Sequence, residues 1–264
     1  MERDERQGVE SIETGGRLLQ ALAVAPGAMM LRHLAQASGM PAAKAHRYLV
    51  SLMRLGLVEQ QPGGRYDLGP FAIQLGLAAL GRLDPLQVAL DALEVLRDRI
   101  GHTVALAVPG THGPTIVRWL DSNAPVSASL RTGAVMPLTR SATGRVFLAF
   151  DPAAIAVPQG RWASMLAAEL AQNARRGLVP VDADGVRALA AECTRRGLAR
   201  VTGDLVPGIH SVSAPVFDAQ GQLVLAVTAL GYEGLFDADW DGDLARGVRE
   251  CARGISQRLG AAES

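Results

Sequence analysis

Residues 31–60, LRHLAQASGMPAAKAHRYLVSLMRLGLVEQ, set the architecture of the first part of the chain. Gly39 tolerates the positive φ of a tight turn, and Pro41 suits the first turn of a helix. They separate two helix-compatible segments, 31–38 and 41–54. In the second segment apolar side chains recur at the spacing of one buried helix face: Ala45, Leu49, Leu52 and Met53. The order of helix, short turn and helix predicts a helix-turn-helix.

The opposite face of the second helix carries basic and small side chains, so it suits a DNA groove. The predicted DNA-binding residues of this helix are Ala42, Ala43, Lys44, His46, Arg47 and Arg54. A strand at 57–59, the turn Gln61-Pro62-Gly63-Gly64 and a returning strand at 65–68 predict the wing of a winged helix. Arg65 at the wing is predicted to reach a phosphate or the minor groove. The alternative is a small α+β module without a role on DNA.

The charge distribution agrees with the first interpretation. The whole chain of 264 residues has 26 basic and 26 acidic side chains, which argues against a nucleic-acid binder at first sight. Residues 1–13 carry a net charge of −3, however, residues 14–82 a net charge of +5 and residues 83–264 a net charge of −2. The neutral total therefore conceals a basic segment that coincides with the predicted helix-turn-helix.

The rest of the chain predicts an α+β domain on an antiparallel sheet. A helix at 71–83 is followed by Asp84-Pro85, which suits the cap and first turn of another helix. These helices either link and dimerise domains or simply pack on the next one. Beyond them we expect strands at 103–108, 115–120, 126–130, 211–217 and 223–230, and helices at 141–150, in pieces over 152–176, at 182–196 and near the carboxyl end. The strand at 223–230 is apolar on both faces, so it should be central.

Polar residues in this second half predict a binding pocket. Ser141-Ala142-Thr143-Gly144 stands where a helix begins, and free N–H groups there suit an anion such as a carboxylate. Asp204, Ser211, Ser213 and Thr228 lie near or within strands that otherwise look buried, so their polar groups need partners. The alternative is ordinary helix capping and hydrogen bonding to the backbone.

Several motifs occur together in a way that resembles the IclR family of bacterial transcriptional regulators. Residues 35–40, 46–58 and 64–69 resemble its DNA-binding domain, and residues 133–150 and 203–231 resemble its ligand domain. The resemblance covers about residues 9–260. It implies a disordered arm at 1–8, a winged helix-turn-helix at 9–70, a linker helix at 71–84 and a GAF-like effector-binding and oligomerisation domain at 85–264.

The resemblance also implies partners. Homodimers, or dimers of dimers, would bind pseudo-palindromic double-stranded operator DNA. A small organic acid, either an aromatic or a short carboxylate, would modulate that binding from the pocket. The predicted effector-binding residues are Ala142, Thr143, Asp204, Ser211, Ser213 and Thr228.

Other functions have weak support in the sequence, and we expect no catalytic site, metal or cofactor. Ser141, His210 and Asp204 lack the G-x-S-x-G context of a hydrolase, and the histidines lack metal-ligand spacing. Two cysteines in a chain without a signal peptide or a membrane-length apolar run favour a reducing cytoplasm. The remaining alternatives are a ligand-independent DNA-binding protein and an enzyme that uses the pocket.

Overall fold

The computed structural model describes residues 8–82, 84–122, 130–151, 160, 162–178 and 181–262. The chain divides into two compact units, of which the second begins at Asp84. Two sequence-based expectations fall almost wholly outside the described residues, namely the arm at 1–8 and the strand at 126–130. The part of the predicted helical stretch at 152–159 also lies outside them.

The first unit is a winged helix-turn-helix, as predicted. Its elements are α1 (Glu10–Val24), β1 (Met29–Met30), α2 (Leu31–Ala37), α3 (Ala42–Arg54), β2 (Val58–Gln60), β3 (Arg65–Leu68) and α4 (Pro70–Leu80). Gly39, in the turn between α2 and α3, has a φ of 66°. The strands form an antiparallel sheet in the order β1-β3-β2.

The core of this unit forms where the apolar stripes of its helices meet. Leu18 of α1, Leu34 of α2 and Leu49 of α3 are completely buried and pack in one cluster with Val58 and Tyr66 of the small sheet. The cluster fixes α3 by its inner side, which leaves the opposite side of α3 free for contacts outside the unit.

The second unit begins with α5 (Pro85–Ile100), and Asp84 caps this helix by accepting hydrogen bonds from the N–H groups of Leu86 and Gln87. The remaining elements are β4 (Thr103–Gly110), β5 (Gly113–Leu120), α6 (Ala142–Phe150), α7 (Ala163–Arg175), α8 (Ala183–Arg196), β6 (Ala199–Thr202), β7 (Ile209–Phe217), β8 (Leu223–Tyr232) and α9 (Asp243–Arg258).

An antiparallel sheet in the order β5-β4-β8-β7-β6 forms the middle of this unit. The prediction that residues 223–230 form a central strand is confirmed, because β8 lies between β4 and β7. The start of α6 packs on one face of the sheet, while α5 and α9 pack on each other and cover the other face. The fold is therefore α+β, with helices on both sides of the sheet.

The core of the first unit can be tested by truncating one buried side chain. Leu49→Ala should lower the free energy of opening of the α3 amides by about 2–5 kcal/mol, because the substitution leaves a cavity in a fully buried position. Native-state hydrogen exchange measures this free energy for the first unit alone. Leu55→Ala, at a site that is 62% exposed, is the matched control and should change it by less than about 0.5 kcal/mol. Equal effects of the two substitutions would contradict the packing described here.

Candidate functional site

The outer side of α3 brings most of the predicted DNA-binding residues onto one surface. Ala42, Ala43, His46 and Arg47 are exposed in its first two turns, Lys44 is half-buried beside them, and Arg54 is exposed in the last turn. Arg65 is exposed at the first residue of β3, next to the wing turn. Four of these side chains are cations: Lys44, Arg47, Arg54 and Arg65. In the described parts of the chain, no carboxylate lies within salt-bridge distance of any of them.

The wing also touches α3. The hydroxyl of Tyr66 lies 3.5 Å from Nδ1 of His46, at the limit of a hydrogen bond, and Tyr66 itself is buried. This contact holds the base of the wing beside the first turns of α3, so the surface presents helix and wing together.

The second unit contains a small cavity between one face of its sheet and the start of α6. Its volume is about 30 Å³, which is enough for one or two water molecules. The apolar part of its wall consists of Ala105, Ile116, Trp119, Leu130, Met136, Ala142, Val201, Leu205, Val206, Ile209 and Leu230. The hydroxyl groups in the wall belong to Ser141, Thr143, Ser211 and Thr228.

Three of these four hydroxyls have hydrogen bonds inside the protein. The Ser141 hydroxyl donates to the carbonyl of Pro137 at 2.7 Å and accepts from the N–H of Gly144 at 2.8 Å, so it is the N-cap of α6. The Thr228 hydroxyl donates to Ser213 at 2.9 Å and lies 2.8 Å from that of Thr143. Because a hydroxyl has one proton, Thr143 must then donate to Thr228.

Other polar groups remain available at the cavity. The N–H groups of Ala142 and Thr143 belong to the first turn of α6 and have no acceptor within the helix. Together with the helix dipole they favour a negatively charged group. Ser211 lies across the cavity on β7. No basic side chain is among the described residues of the wall, so a bound anion would depend on these N–H groups and hydroxyls.

The structure brings together four of the six residues that the sequence suggested for the effector. Ala142, Thr143, Ser211 and Thr228 line the cavity. Ser213 is fully buried behind Thr228 and reaches the cavity only through its hydrogen bond. Asp204 is not in the wall, because its carboxylate forms an ion pair with Arg145.

Sequence reasoning missed several residues of this region. Leu205 and Val206 belong to the wall, and Arg145 is bonded to the loop that carries them. The only signal was the apolar pair itself, which stands between Gly203 and Gly208 in a segment without strand or helix periodicity.

A catalytic arrangement is not assembled from the candidates that the sequence offered. The hydroxyl of Ser141 donates to a backbone carbonyl, Asp204 pairs with Arg145, and Nε2 of His210 lies 4.0 Å from Glu233. Burial raises the pKa of the thiols of Cys193 and Cys251 to about 11, so neither is a thiolate near neutral pH.

Within the described ranges, no three His, Cys, Asp or Glu side chains come together in a way that could hold a metal ion. None of the helices in the described part of the chain is both long and apolar enough to cross a membrane.

Comparison with known proteins identifies the class to which these two units belong. Residues 11–62 match the IclR helix-turn-helix domain, and residues 77–257 match the domain described as bacterial transcriptional regulator IclR C-terminal. The chain belongs to the IclR family and is an IclR-type, DNA-binding transcriptional regulator.

Individual relatives agree with this assignment over nearly the full length. The chain is 31% identical to a glycerol operon regulatory protein of Streptomyces griseus, over 97% of this chain and 98% of that protein. It is similar to the crystal structure of HmgR from Pseudomonas aeruginosa, with 36% identity, a TM-score of 0.80 and coverage of 97% and 100% of the two chains. An IclR homologue from Microbacterium hydrocarbonoxydans, complexed with 4-hydroxybenzoate, is 22% identical with a TM-score of 0.52, over 96% and 100% of the chains.

The position of α6 beside the cavity depends on a glycine. A Cβ on Gly144 would lie 2.6 Å from Cα of Leu138 and closer still to the carbonyl oxygen of Pro137. Gly144→Ala should therefore destabilise the second unit by about 1–3 kcal/mol, because neither backbone atom can move aside cheaply. Denaturant unfolding followed by tryptophan fluorescence measures the change.

The control for this experiment is another helical glycine. Gly254→Ala in α9 meets no atom within 4 Å. It should stabilise the unit by about 0.5–1 kcal/mol, since alanine is the better helix former. A stability of Gly144→Ala equal to that of the parent protein would mean that α6 is not held against residues 137–138.

Proposed function

We propose that α3 and the wing form the operator-binding surface of this regulator and that the cavity in the second unit takes a small organic acid that modulates DNA binding. The observation that carries the first part is the basic face of α3 beside the wing, whose cations have no carboxylate partner among the described residues. Two such surfaces in a dimer would contact the half-sites of a pseudo-palindromic operator, each α3 in a major groove. Since its target is bacterial DNA, we infer that the protein acts in the cytoplasm.

The roles of individual side chains follow from their positions. Ala42 and Ala43 leave room for close approach of base edges at the start of α3, where Lys44, His46 and Arg47 reach bases or nearby phosphates. Arg54 and Arg65 lie further out, at the end of α3 and on the wing, and are assigned to phosphates or the minor groove. Phosphate contacts supply salt-dependent affinity and fix the orientation of the protein on the duplex.

The DNA-binding surface can be tested by removing two of its charges. Lys44→Ala with Arg47→Ala should weaken operator binding and lower the slope of log K against log salt concentration by about 2, because each lost phosphate contact releases about one counterion fewer. Fluorescence anisotropy with labelled operator at several salt concentrations measures both quantities. Arg17→Ala removes one positive charge from an exposed site of α1, outside this surface, and is the control for the loss of charge alone. An unchanged affinity and slope in the double variant would remove α3 from the interface.

The effector site has support from the cavity and from one relative. The cavity joins an apolar wall to free N–H groups at a helix start, an arrangement that suits a ligand with an apolar body and a carboxylate. The Microbacterium homologue was crystallised with 4-hydroxybenzoate, which has this chemistry. At about 30 Å³ the cavity is smaller than such a ligand, so we infer that its wall moves on binding.

A thermal-shift series tests the ligand class. An aromatic acid that binds the folded state should raise the melting temperature, and the shift should grow with the logarithm of its concentration above Kd. The probes are 4-hydroxybenzoate and benzoate, with benzamide as the uncharged comparison. Ser211→Ala should weaken binding of the acids about threefold to tenfold by removing one hydrogen bond. A flat response to every acid would favour the ligand-independent alternative, and consumption of an acid, seen by mass spectrometry, would favour an enzyme.

Self-association is supported by the surface of α4. The helix is almost wholly apolar, yet four of its large side chains are each at least 41% exposed: Phe71, Ile73, Leu75 and Leu77. Exposed apolar patches of this kind commonly mark interfaces. We infer that the protein forms a homodimer, or a dimer of dimers, and that α4 contributes to it.

A further inference from the structure

The loop at 203–208 connects β6 to β7 and covers part of the cavity. Leu205 and Val206 form part of the wall, and Leu205 also packs against the buried cluster of Ala105, Ile116 and Met136. Most of the other described wall residues lie in strands or in the first turn of α6, where ladder or helical hydrogen bonds hold them. The loop is held by fewer such bonds, so it can move at a lower cost than the strands and α6.

Both ends of this loop have a backbone conformation that favours glycine. Gly203 has a φ of 87° and Gly208 a φ of 76°. The N–H of Gly203 donates to the carbonyl of Ile209 at 3.0 Å, and the N–H of Ile209 donates to that of Val206 at 3.1 Å. The loop therefore leaves and re-enters the sheet at two glycines, which can absorb large changes of backbone angle.

An arginine from α6 ties the loop down. Nε of Arg145 donates to the carbonyl of Thr139 at 2.7 Å, and Nη1 donates to the carbonyl of Arg200 at 2.7 Å. Its remaining group, Nη2, donates to the carboxylate of Asp204, while Arg140 donates to the Asp204 backbone carbonyl. The Arg145 side chain is only 14% exposed. The two hydrogen bonds to backbone carbonyls thus fix the guanidinium, and the hydrogen bond to Asp204 holds the loop.

We propose that Asp204 and Arg145 form a latch that keeps the loop 203–208 closed over the cavity and that opening of this latch admits and releases the effector. The proposal rests on the effector site proposed above and gives Asp204 a different part from the one that the sequence suggested. Asp204 is a positioning residue: it places Leu205 and Val206 in the wall and does not itself contact the ligand.

Hydrogen–deuterium exchange of the full-length protein without ligand tests the latch by itself. Asp204→Ala should make the amides of Gly203 and Ile209 exchange about tenfold faster, and Asp204→Asn should have a smaller effect because the amide oxygen still accepts from Arg145. The amides of Val212 and Ala214, inside the ladder of β7, should exchange as before. Glu250→Ala removes an ion pair with Arg99 in the same unit and is the matched control for Asp204→Ala. Loop exchange in Asp204→Ala at the rate of the parent protein would overturn the latch.

Binding kinetics separate a latch from a direct contact. Stopped-flow mixing with 4-hydroxybenzoate should show association and dissociation both about tenfold faster in Asp204→Ala, with Kd nearly unchanged, since a latch that re-forms over the bound ligand slows entry and exit by the same factor. Faster dissociation alone, with Kd raised by the same factor, would overturn the proposal and make Asp204 a ligand contact. Failure of the parent protein to bind 4-hydroxybenzoate or benzoate would count against the proposed effector class, whereas the exchange experiment judges the latch without any ligand.

Discussion

The close approach of the start of α6 to residues 137–138 is the constraint on which the second unit depends. Gly144 lies so near the Pro137 carbonyl that no side chain fits, and Ser141 donates to the same carbonyl. With the helix start held there, Thr143 meets Thr228 on the sheet and Arg145 faces the loop at 203–208. This one packed contact therefore sets three features: the direction of the free N–H groups, the chain of hydroxyls from Thr143 through Thr228 to Ser213, and the closure of the cavity.

Much of the fold could be predicted because its signals are local and periodic. The buried stripe of Ala45, Leu49 and Leu52, broken before it by Gly39 and Pro41, is visible in one short window. Strand β8 could be placed centrally since it is apolar on both faces. Strands β1 and β6 were not predicted, because at two and four residues they show no period, and no tight turn signal such as the one at 61–64 marks them as half of a hairpin. Strand β1 exists through pairing with β3, which lies more than 30 residues further along the chain, and β6 exists through pairing with β7 across the loop 203–208.

The binding residues were predicted less evenly, and the reason is geometric. Period two shows that Ser211 and Ser213 share one face of β7, but not how far the cavity extends along that face. In the structure Ser213 lies behind Thr228 and is not part of the wall. Asp204 stands in an aperiodic loop, and no sequence pattern announces that Arg145, 59 positions away, takes its carboxylate. Helix starts such as Ala142-Thr143 are more predictable because their free N–H groups come with the backbone.

The hydroxyl chain from Thr143 through Thr228 to Ser213 gives the cavity a polarity of its own. Thr143 donates its proton to Thr228, and Thr228 donates to Ser213, so Thr143 keeps its lone pairs beside the N–H groups of the helix start. The first turn of α6 thus presents one acceptor, the hydroxyl oxygen of Thr143, beside two donors, the N–H groups of Ala142 and Thr143. A ligand that carries both a carboxylate and a hydroxyl satisfies the two kinds of group at once, whereas a methyl ether in place of the hydroxyl leaves an oxygen facing an oxygen. A serine that does not line the cavity would in this way favour a ligand that presents a hydroxyl proton, and not an ether oxygen, to Thr143.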